Sequence, residues 1–337
     1  MIGSRSMLAG LALALSVSLP ASLRAQTRVL VVTGLGAEQK YQRQFISLGE
    51  QLTTALVTRY GIAESDVAWL GEDTTRNSRV YKGRATSQAI AREFDRLASI
   101  AKPNDQLLVV LIGHGSGDGE DTKFNIPGPD VTAREFNTML SRFGAQRVAF
   151  LNLTTASGDA LPVLALPNRI IVTATKSAYE RNESQFARFF VEALAKDGAP
   201  ADVDKDGRVS LLEAYRYAAT ETRRSYESDE RLLTEHAQLD DDGNGKGTDL
   251  PDGRSAGDGL AARRYFIDGG SAGGRAAVSD PRLQKLYDDK FAIEDKVDAL
   301  KQKKASMKED AYYAELERLL VDLAKVARDI RQLEGRK

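Results

Sequence analysis

The sequence predicts an α/β protein: a mostly parallel sheet with helices on both faces, followed by a C-terminal α-helical hairpin of the coiled-coil type. Three observations predict it. Short apolar runs alternate with amphipathic stretches over most of the chain, which is typical of parallel strands joined by helices. The composition shifts towards glycine, aspartate and alanine over 240–279. Beyond that segment, apolar residues recur at heptad spacing from Leu286 to Leu333.

Five apolar runs are the candidate strands. They begin at Arg28, Val67, Gln106, Arg147 and Arg169. Most of these runs are apolar at nearly every position, as expected of strands that are buried on both faces. Chemistry in such sheets gathers at the carboxyl ends of the strands, so the polar residues that directly follow the runs are candidate functional residues.

The stretches between these runs are candidate helices. Apolar residues three and four apart predict helices over 45–57, 90–100 and 186–194. Thr132 with Glu135 three residues later forms a capping-box pattern, which predicts the start of a further helix.

The C-terminal segment has its own helix signals. Asp280 and Pro281 offer an N-cap and a proline in the first turn. A polar break at 308–310 separates two heptad series, which indicates either a coiled-coil hairpin or one long helix that pairs with another chain. Two helices that pack only on the main domain are the alternative. We expect a linker over 271–280, a helical hairpin over 281–335 and self-association through these helices.

The first 25 residues are typical of a secretory signal peptide. Arg5 precedes an apolar run from Met7 to Leu19, and Ala25 is a small residue at a suitable cleavage point. A buried N-terminal helix is the alternative. No later stretch has the length and hydrophobicity of a transmembrane helix. The sequence therefore predicts a periplasmic or secreted protein with its main domain over 26–270.

Charge and glycine patterning exclude two classes of ligand. With 47 Lys and Arg against 48 Asp and Glu, the net charge of −1 argues against nucleic acid, which clustered basic residues bind. The glycine-containing stretches at 34–36 and 113–119 lack the endings of a P-loop or a dinucleotide-binding turn, which argues against nucleotides.

His114 is the first candidate catalytic residue. It follows the third apolar run, between two glycines, and imidazole exchanges protons near neutral pH. A nucleophile at the end of a neighbouring strand would complete a dyad. The polar segment 154–158 follows the next run and supplies Thr155 and Ser157.

In order and spacing, these motifs resemble the caspase/legumain clan of cysteine peptidases. The resemblance covers about 28–225 and rests on the Gly-His-Gly-Ser motif at 113–116 and the Thr-Ala-Ser-Gly motif at 155–158. Legumain-like members have Cys-x-Ser-Gly at the second motif, so the resemblance implies that Thr155 stands where the nucleophilic cysteine would be. It also implies a caspase-like fold, a catalytic role for His114, and an oxyanion or pocket role for three residues. These three are Gly115, Ser157 and Gly158.

The chain departs from this family at the nucleophile, because it contains no cysteine. A threonine hydroxyl is a much poorer nucleophile than a thiolate and needs a well-aligned base. The departure implies a degenerate site in a non-catalytic, peptidase-like protein that binds a peptide or protein partner. Two alternatives stay open: a hydrolase or endopeptidase that uses Thr155 or a nearby serine with His114, and Thr155 as an ordinary buried turn residue.

Segment 202–213 matches the EF-hand calcium loop. Its oxygen donors stand at the positions that an EF-hand uses, and Gly207 stands where the loop turns sharply. The predicted ligands are Asp202, Asp204, Asp206, Arg208 through its carbonyl, Ser210 and Glu213. The segment therefore predicts bound Ca²⁺, with a solvated acidic turn as the alternative.

A second acidic loop repeats the first half of this pattern. Its candidate ligands are Asp240, Asp242 and Asn244, but Pro251 stands at the position where an EF-hand has its last acid. A weak calcium site, a partner loop for the first one, and a turn that binds no metal all fit this sequence.

Overall fold

The computed structural model describes residues 26–73, 75–76, 78–117, 121–205, 207–253, 257–267 and 281–333. The predicted signal peptide at 1–25, the linker at 271–280 and the loop position Asp206 lie outside these residues. Within the described ranges, no helix combines the length and hydrophobicity needed to cross a bilayer.

The described strands form two sheets. They are β1 (Thr27–Thr33), β2 (Val67–Gly71), β3 (Tyr81–Arg84), β4 (Gln106–Ile112), β5 (Gly115–Gly117), β6 (Thr122–Phe124), β7 (Val131–Thr132), β8 (Arg147–Asn152), β9 (Arg169–Thr173) and β10 (Gln238–Asp240). The larger sheet has seven strands in the order β10-β9-β8-β4-β1-β2-β3, and β5, β6 and β7 form a small antiparallel sheet.

The larger sheet is parallel except at one edge, where β10 runs antiparallel to β9. The mostly parallel α/β fold predicted from the sequence is therefore confirmed. The five predicted strands are β1, β2, β4, β8 and β9. Strands β3 and β10 at the edges and the three strands of the small sheet were not predicted, because runs of two to four residues carry too little periodicity to be recognised.

The described helices connect these strands and continue beyond them. They are α1 (Gln39–Thr58), α2 (Ser87–Ile100), α3 (Ala133–Leu140), α4 (Leu161–Leu164), α5 (Phe186–Ala195), α6 (Leu211–Ser228), α7 (Leu260–Arg263), α8 (Pro281–Gln302) and α9 (Glu309–Leu333). The predicted capping box is present at the start of α3: the Thr132 hydroxyl accepts the Glu135 N–H, and the Glu135 carboxylate accepts the Thr132 N–H.

Two hydrophobic cores lie on opposite faces of the larger sheet. Val29 and Val31 of β1 contribute to the core that contains α1, α5 and α6, whereas Leu30 and Val32 contribute to the core that contains α2, α3 and α4. Side chains alternate across a strand, so neighbouring residues of a doubly covered strand face different cores. This arrangement confirms the expected helices on both faces.

The C-terminal helices α8 and α9 pack against each other as an antiparallel hairpin. The first half of α8 shares a hydrophobic cluster with Ile330 near the end of α9, and the second half shares another with Tyr312 near its beginning. The structure thus selects a hairpin over one long helix, and the hairpin also contacts the main domain through Tyr287, whose ring lies 5.8 Å from that of Phe266.

Candidate functional site

His114 lies where the chain leaves the carboxyl end of β4. Its ring meets two aromatic rings of α1 edge to face, with centroids 4.7 Å from Tyr41 and 5.0 Å from Phe45. Tyr41 and Phe45 are four residues apart on one face of the helix, so both can pack on the imidazole. The main-chain carbonyl of His114 accepts the N–H of Asn125 at 3.0 Å. Aromatic packing and this hydrogen bond therefore position the half-buried histidine.

The surroundings of His114 lower the pKa of its imidazole. Burial is the largest cause, because it disfavours the charged form, and the carboxylates of Glu183 and Glu38 act in the opposite direction. Glu183 is itself paired with Lys40, with 3.2 Å between the Nζ and Oε2 atoms. The imidazole is therefore neutral near pH 7, which is the form that accepts a proton.

Thr155 follows β8, the strand that pairs with β4. Its hydroxyl makes two hydrogen bonds to the main chain of Gly115: it accepts the N–H at 3.1 Å and donates its own proton to the carbonyl oxygen at 3.1 Å. Only 4% of the residue is exposed. Thr155 therefore lies beside the residue that follows His114, and its hydroxyl contacts the main chain of Gly115 rather than the imidazole.

Within the described residues, no hydrogen bond joins the Thr155 hydroxyl to the His114 imidazole. A general base activates a hydroxyl by taking its proton directly or through one water. Here that proton is donated to the Gly115 carbonyl, and the Gly115 N–H, a candidate oxyanion donor, is used by the threonine itself. The hydrogen-bonding groups of Thr155 and Gly115 are therefore paired with each other.

Ser157 and Gly158 join the loop after β8 to the loop after β9. The Ser157 hydroxyl is buried and accepts the N–H groups of Ala174 and Thr175 at 3.1 and 3.3 Å. The Gly158 N–H donates to the Thr175 hydroxyl at 3.1 Å, and a Cβ at this glycine would overlap the main chain of Lys176. Both residues therefore hold the loops after β8 and β9 together.

The serines considered as alternative nucleophiles are also engaged. Ser157 is fully buried, and the Ser116 hydroxyl donates to the side-chain oxygen of Asn125 at 3.0 Å. No sequence pattern predicted Tyr41 or Glu183 as neighbours of His114. Helical periodicity can predict α1 itself, but the contact between α1 and the end of β4 depends on the tertiary fold.

The predicted calcium loop brings three carboxylates together. Oxygens of Asp202, Asp204 and Glu213 all lie within 4.8 Å of one another. The loop turns at Gly207, whose φ of +83° suits glycine and whose N–H donates to Asp202 Oδ2 at 3.0 Å. Three converging carboxylates are the kind of oxygen donor that a hard cation prefers, so these residues could hold a metal ion.

Ser210 and Arg208 connect this loop to the fold around it. Ser210 is the N-cap of α6, and its N–H and hydroxyl each donate to Glu213 Oε2 at 2.8 Å. The second Glu213 oxygen accepts the Val203 N–H at 3.1 Å. The Arg208 guanidinium lies 3.5 Å from the centroid of the Phe266 ring, so its side chain packs on the segment that follows α7.

The second acidic loop also forms a cluster, with one member that the sequence did not indicate. Oxygens of Asp240, Asp242 and Asp258 lie within 4.8 Å of one another. Burial, followed by the neighbouring carboxylates, raises the pKa of Asp258 to about 6. The Asn244 side chain instead completes the turn, donating to Asp242 Oδ2 at 2.8 Å and accepting the Lys246 N–H at 2.6 Å. Asp258 lies 16 residues beyond Asp242, outside any loop-length motif.

The first acidic loop (202–213) lies near the amino end of β4, whereas His114 follows its carboxyl end. The Leu211 N–H at the start of α6 donates to the Tyr265 carbonyl at 2.8 Å, and the Tyr265 hydroxyl donates to the Leu107 carbonyl at 3.0 Å. Leu107 belongs to the amino end of β4. The two sets of predicted site residues therefore occupy two separate regions.

Comparison with known proteins identifies no family for this chain. No family model matches it, and no curated protein matches it. Among solved structures, it is similar to Raptor from Chaetomium thermophilum with a TM-score of 0.33 and 10% sequence identity, over 93% of this chain. The chain spans 26% of the length of that Raptor chain.

Proposed function

We propose that this protein is a secreted or periplasmic, calcium-binding, peptidase-like protein that does not catalyse peptide hydrolysis and instead binds a peptide or protein partner. Ca²⁺ is the proposed ion for the first loop, and the second acidic cluster is a weaker candidate site. Self-association through α8 and α9 is part of the same proposal.

The observation that carries the non-catalytic role is the reciprocal pair of hydrogen bonds between Thr155 and Gly115. An active hydroxyl nucleophile would need its proton directed at a base and an oxyanion donor left for the substrate. The Thr155 hydroxyl instead donates its proton to the Gly115 carbonyl, and it accepts the Gly115 N–H, which is the candidate oxyanion donor. A buried, internally satisfied hydroxyl supports a structural role over a nucleophilic one.

The calcium assignment is supported by the donor set of the first loop. Carboxylate oxygens from Asp202, Asp204 and Glu213 converge there, and the Arg208 carbonyl and Ser210 complete the EF-hand positions among the described residues. When bound, Ca²⁺ would supply positive charge that offsets the repulsion between these carboxylates. The loop connects the segment after α5 to α6, so its order affects the packing of both helices.

Cleavage of a mixed fluorogenic peptide library tests the non-catalytic role. We expect the mature wild-type protein to be inactive in calcium. Activity in the wild type that disappears in His114→Ala would overturn the proposal in favour of a hydrolase. Thr155→Cys serves as the matched variant: gained activity would show a cleft that lacks only its nucleophile, with the wild-type chain still inactive.

Thermal unfolding with calcium or with chelator tests the metal assignment. A ligand present at 100 times its Kd stabilises a protein by about 2.7 kcal/mol, which corresponds to a Tm increase of roughly 4 °C at this chain length. We expect this increase in the wild type and its loss in Glu213→Gln. Glu221→Gln is the control, because Glu221 lies on the same helix in an exposed pair with Arg224. Equal melting temperatures in millimolar calcium and in chelator would refute the assignment.

A further inference from the structure

One face of α8 lies against the first acidic loop (202–213) and against α7 with the segment that follows it. Residues 287, 290, 291 and 294 share this face at helical spacing. Tyr287 is hydrogen-bonded to the Arg208 side chain, and the Phe291 ring lies 4.6 Å from the Arg263 guanidinium. Arg263 also pairs with Glu294. The hairpin is therefore docked directly on the loop that carries the predicted calcium ligands.

Lys290 is the central charged contact of this docked face. Only 4% of its side chain is exposed, and its Nζ lies 2.7 Å from Asp204 Oδ2 and 3.8 Å from Glu294 Oε1. A buried ammonium is unfavourable unless carboxylates surround it. The acidic loop thus provides the counter-charge for Lys290, and Lys290 provides a cation for the loop.

Lys290 and Ca²⁺ would use the same carboxylate. Calcium binds carboxylate oxygens at about 2.3–2.6 Å, and the ammonium already lies 2.7 Å from Asp204. Two cations on one carboxylate repel each other strongly, because the site is only partly exposed to the screening solvent. Binding of one therefore weakens binding of the other.

We propose that Lys290 is a built-in competitor of calcium, so that calcium binding loosens the docking of the α8–α9 hairpin and docking lowers the affinity for calcium. This inference rests on the proposed calcium site. The two effects are equal in size, because the coupling between two equilibria is reciprocal. Calcium concentration would then set the fraction of molecules whose hairpin is undocked and can bind another copy of the chain or a partner.

Calcium titration by calorimetry on the full mature chain tests the competition. We expect Lys290→Met to bind calcium about tenfold or more tightly than the wild type, within the 5- to 150-fold range of typical couplings. Lys285→Met is the matched control: it removes the same charge from the same helix, but Lys285 is 73% exposed and pairs with Asp289. Its affinity should equal that of the wild type.

The distance between two spin labels tests the docking. The chain has no cysteine, so Leu232→Cys on the main domain and Glu317→Cys on α9 provide the only two labelling sites. Both positions are exposed. We expect calcium to lengthen or broaden the distance distribution, and Glu213→Gln in the same background to abolish this change.

The outcomes separate the competition from the calcium site itself. Equal affinities in the wild type and Lys290→Met, or a distance distribution that calcium leaves unchanged or narrows, would overturn the competition while the calcium site stands. Absence of binding in both proteins would overturn both. Binding in Lys290→Met alone would support the competition, because the ammonium would then be the stronger occupant.

Discussion

The polar residues at the two ends of the central sheet have different surroundings. At the carboxyl end, Thr155, Ser157 and their neighbours form hydrogen bonds with the loops of the fold itself. At the amino end, the carboxylates of the first acidic loop converge, and Lys290 supplies a positive charge from the hairpin. Polar groups that already hydrogen-bond to one another have few donors and acceptors left for a substrate, whereas converging negative charges favour a bound cation. The difference favours a bound cation at one end and a mainly structural network of hydrogen bonds at the other.

Among variants that test this comparison, we expect the largest loss of unfolding free energy from Gly158→Ala. The added methyl group would overlap the main chain of Lys176 and Ser177, so the loops after β8 and β9 must separate. Overpacking of this kind costs about 3 kcal/mol of unfolding free energy. Urea denaturation measures the loss. Gly144→Ala is the control, since a Cβ there meets nothing within 4 Å, and should change stability by less than about 0.5 kcal/mol. Calcium affinity should be unaltered in both, and a large change in Gly158→Ala would break the separation of the two ends.

Thr155→Val tests whether the Thr155 hydroxyl is structural. The substitution keeps the shape of the side chain but leaves the part-buried N–H and carbonyl of Gly115 without these partners. We expect a loss of about 1–3 kcal/mol in unfolding free energy, measured by urea denaturation. Thr155→Ser keeps the hydroxyl and should retain most of the stability. Equal stability of the valine and serine variants would contradict the structural role.

At the amino end, Tyr265→Phe should destabilise the protein by about 1 kcal/mol. The substitution removes the buried hydrogen bond from the Tyr265 hydroxyl to the Leu107 carbonyl, which connects the segment after α7 to β4. Denaturation of this variant beside Tyr179→Phe, where the side chain is exposed, measures the effect. If Tyr265→Phe weakens only stability and not calcium binding, the loop geometry depends on other contacts, such as the main-chain bond from Leu211.

The smallest effect is expected in the pH dependence of stability. Burial lowers the pKa of His114 in the folded protein below its ordinary value of 6.5. Below that pH, the unfolded chain takes up a proton that the folded chain resists, so stability decreases as the pH falls from 6.5 towards the lower folded pKa. His114→Gln removes this contribution. Urea midpoints at pH 7.5 and 5.5 should differ less in the variant than in the wild type, and an equal difference in both would contradict the burial of the imidazole.

The sequence alone determined the parts of this protein whose signals are local. The continuous apolar strands, the capping box at Thr132 and the loop at 202–213 each depend on residues close together in the chain, where periodicity and spacing act directly. The tertiary structure decided what distant residues do to one another. It brings Asp258 to Asp242, directs the Thr155 proton to Gly115 rather than to His114, and places Lys290 on Asp204. These contacts arise when packing brings remote segments together, and no local pattern in the sequence encodes such a distance.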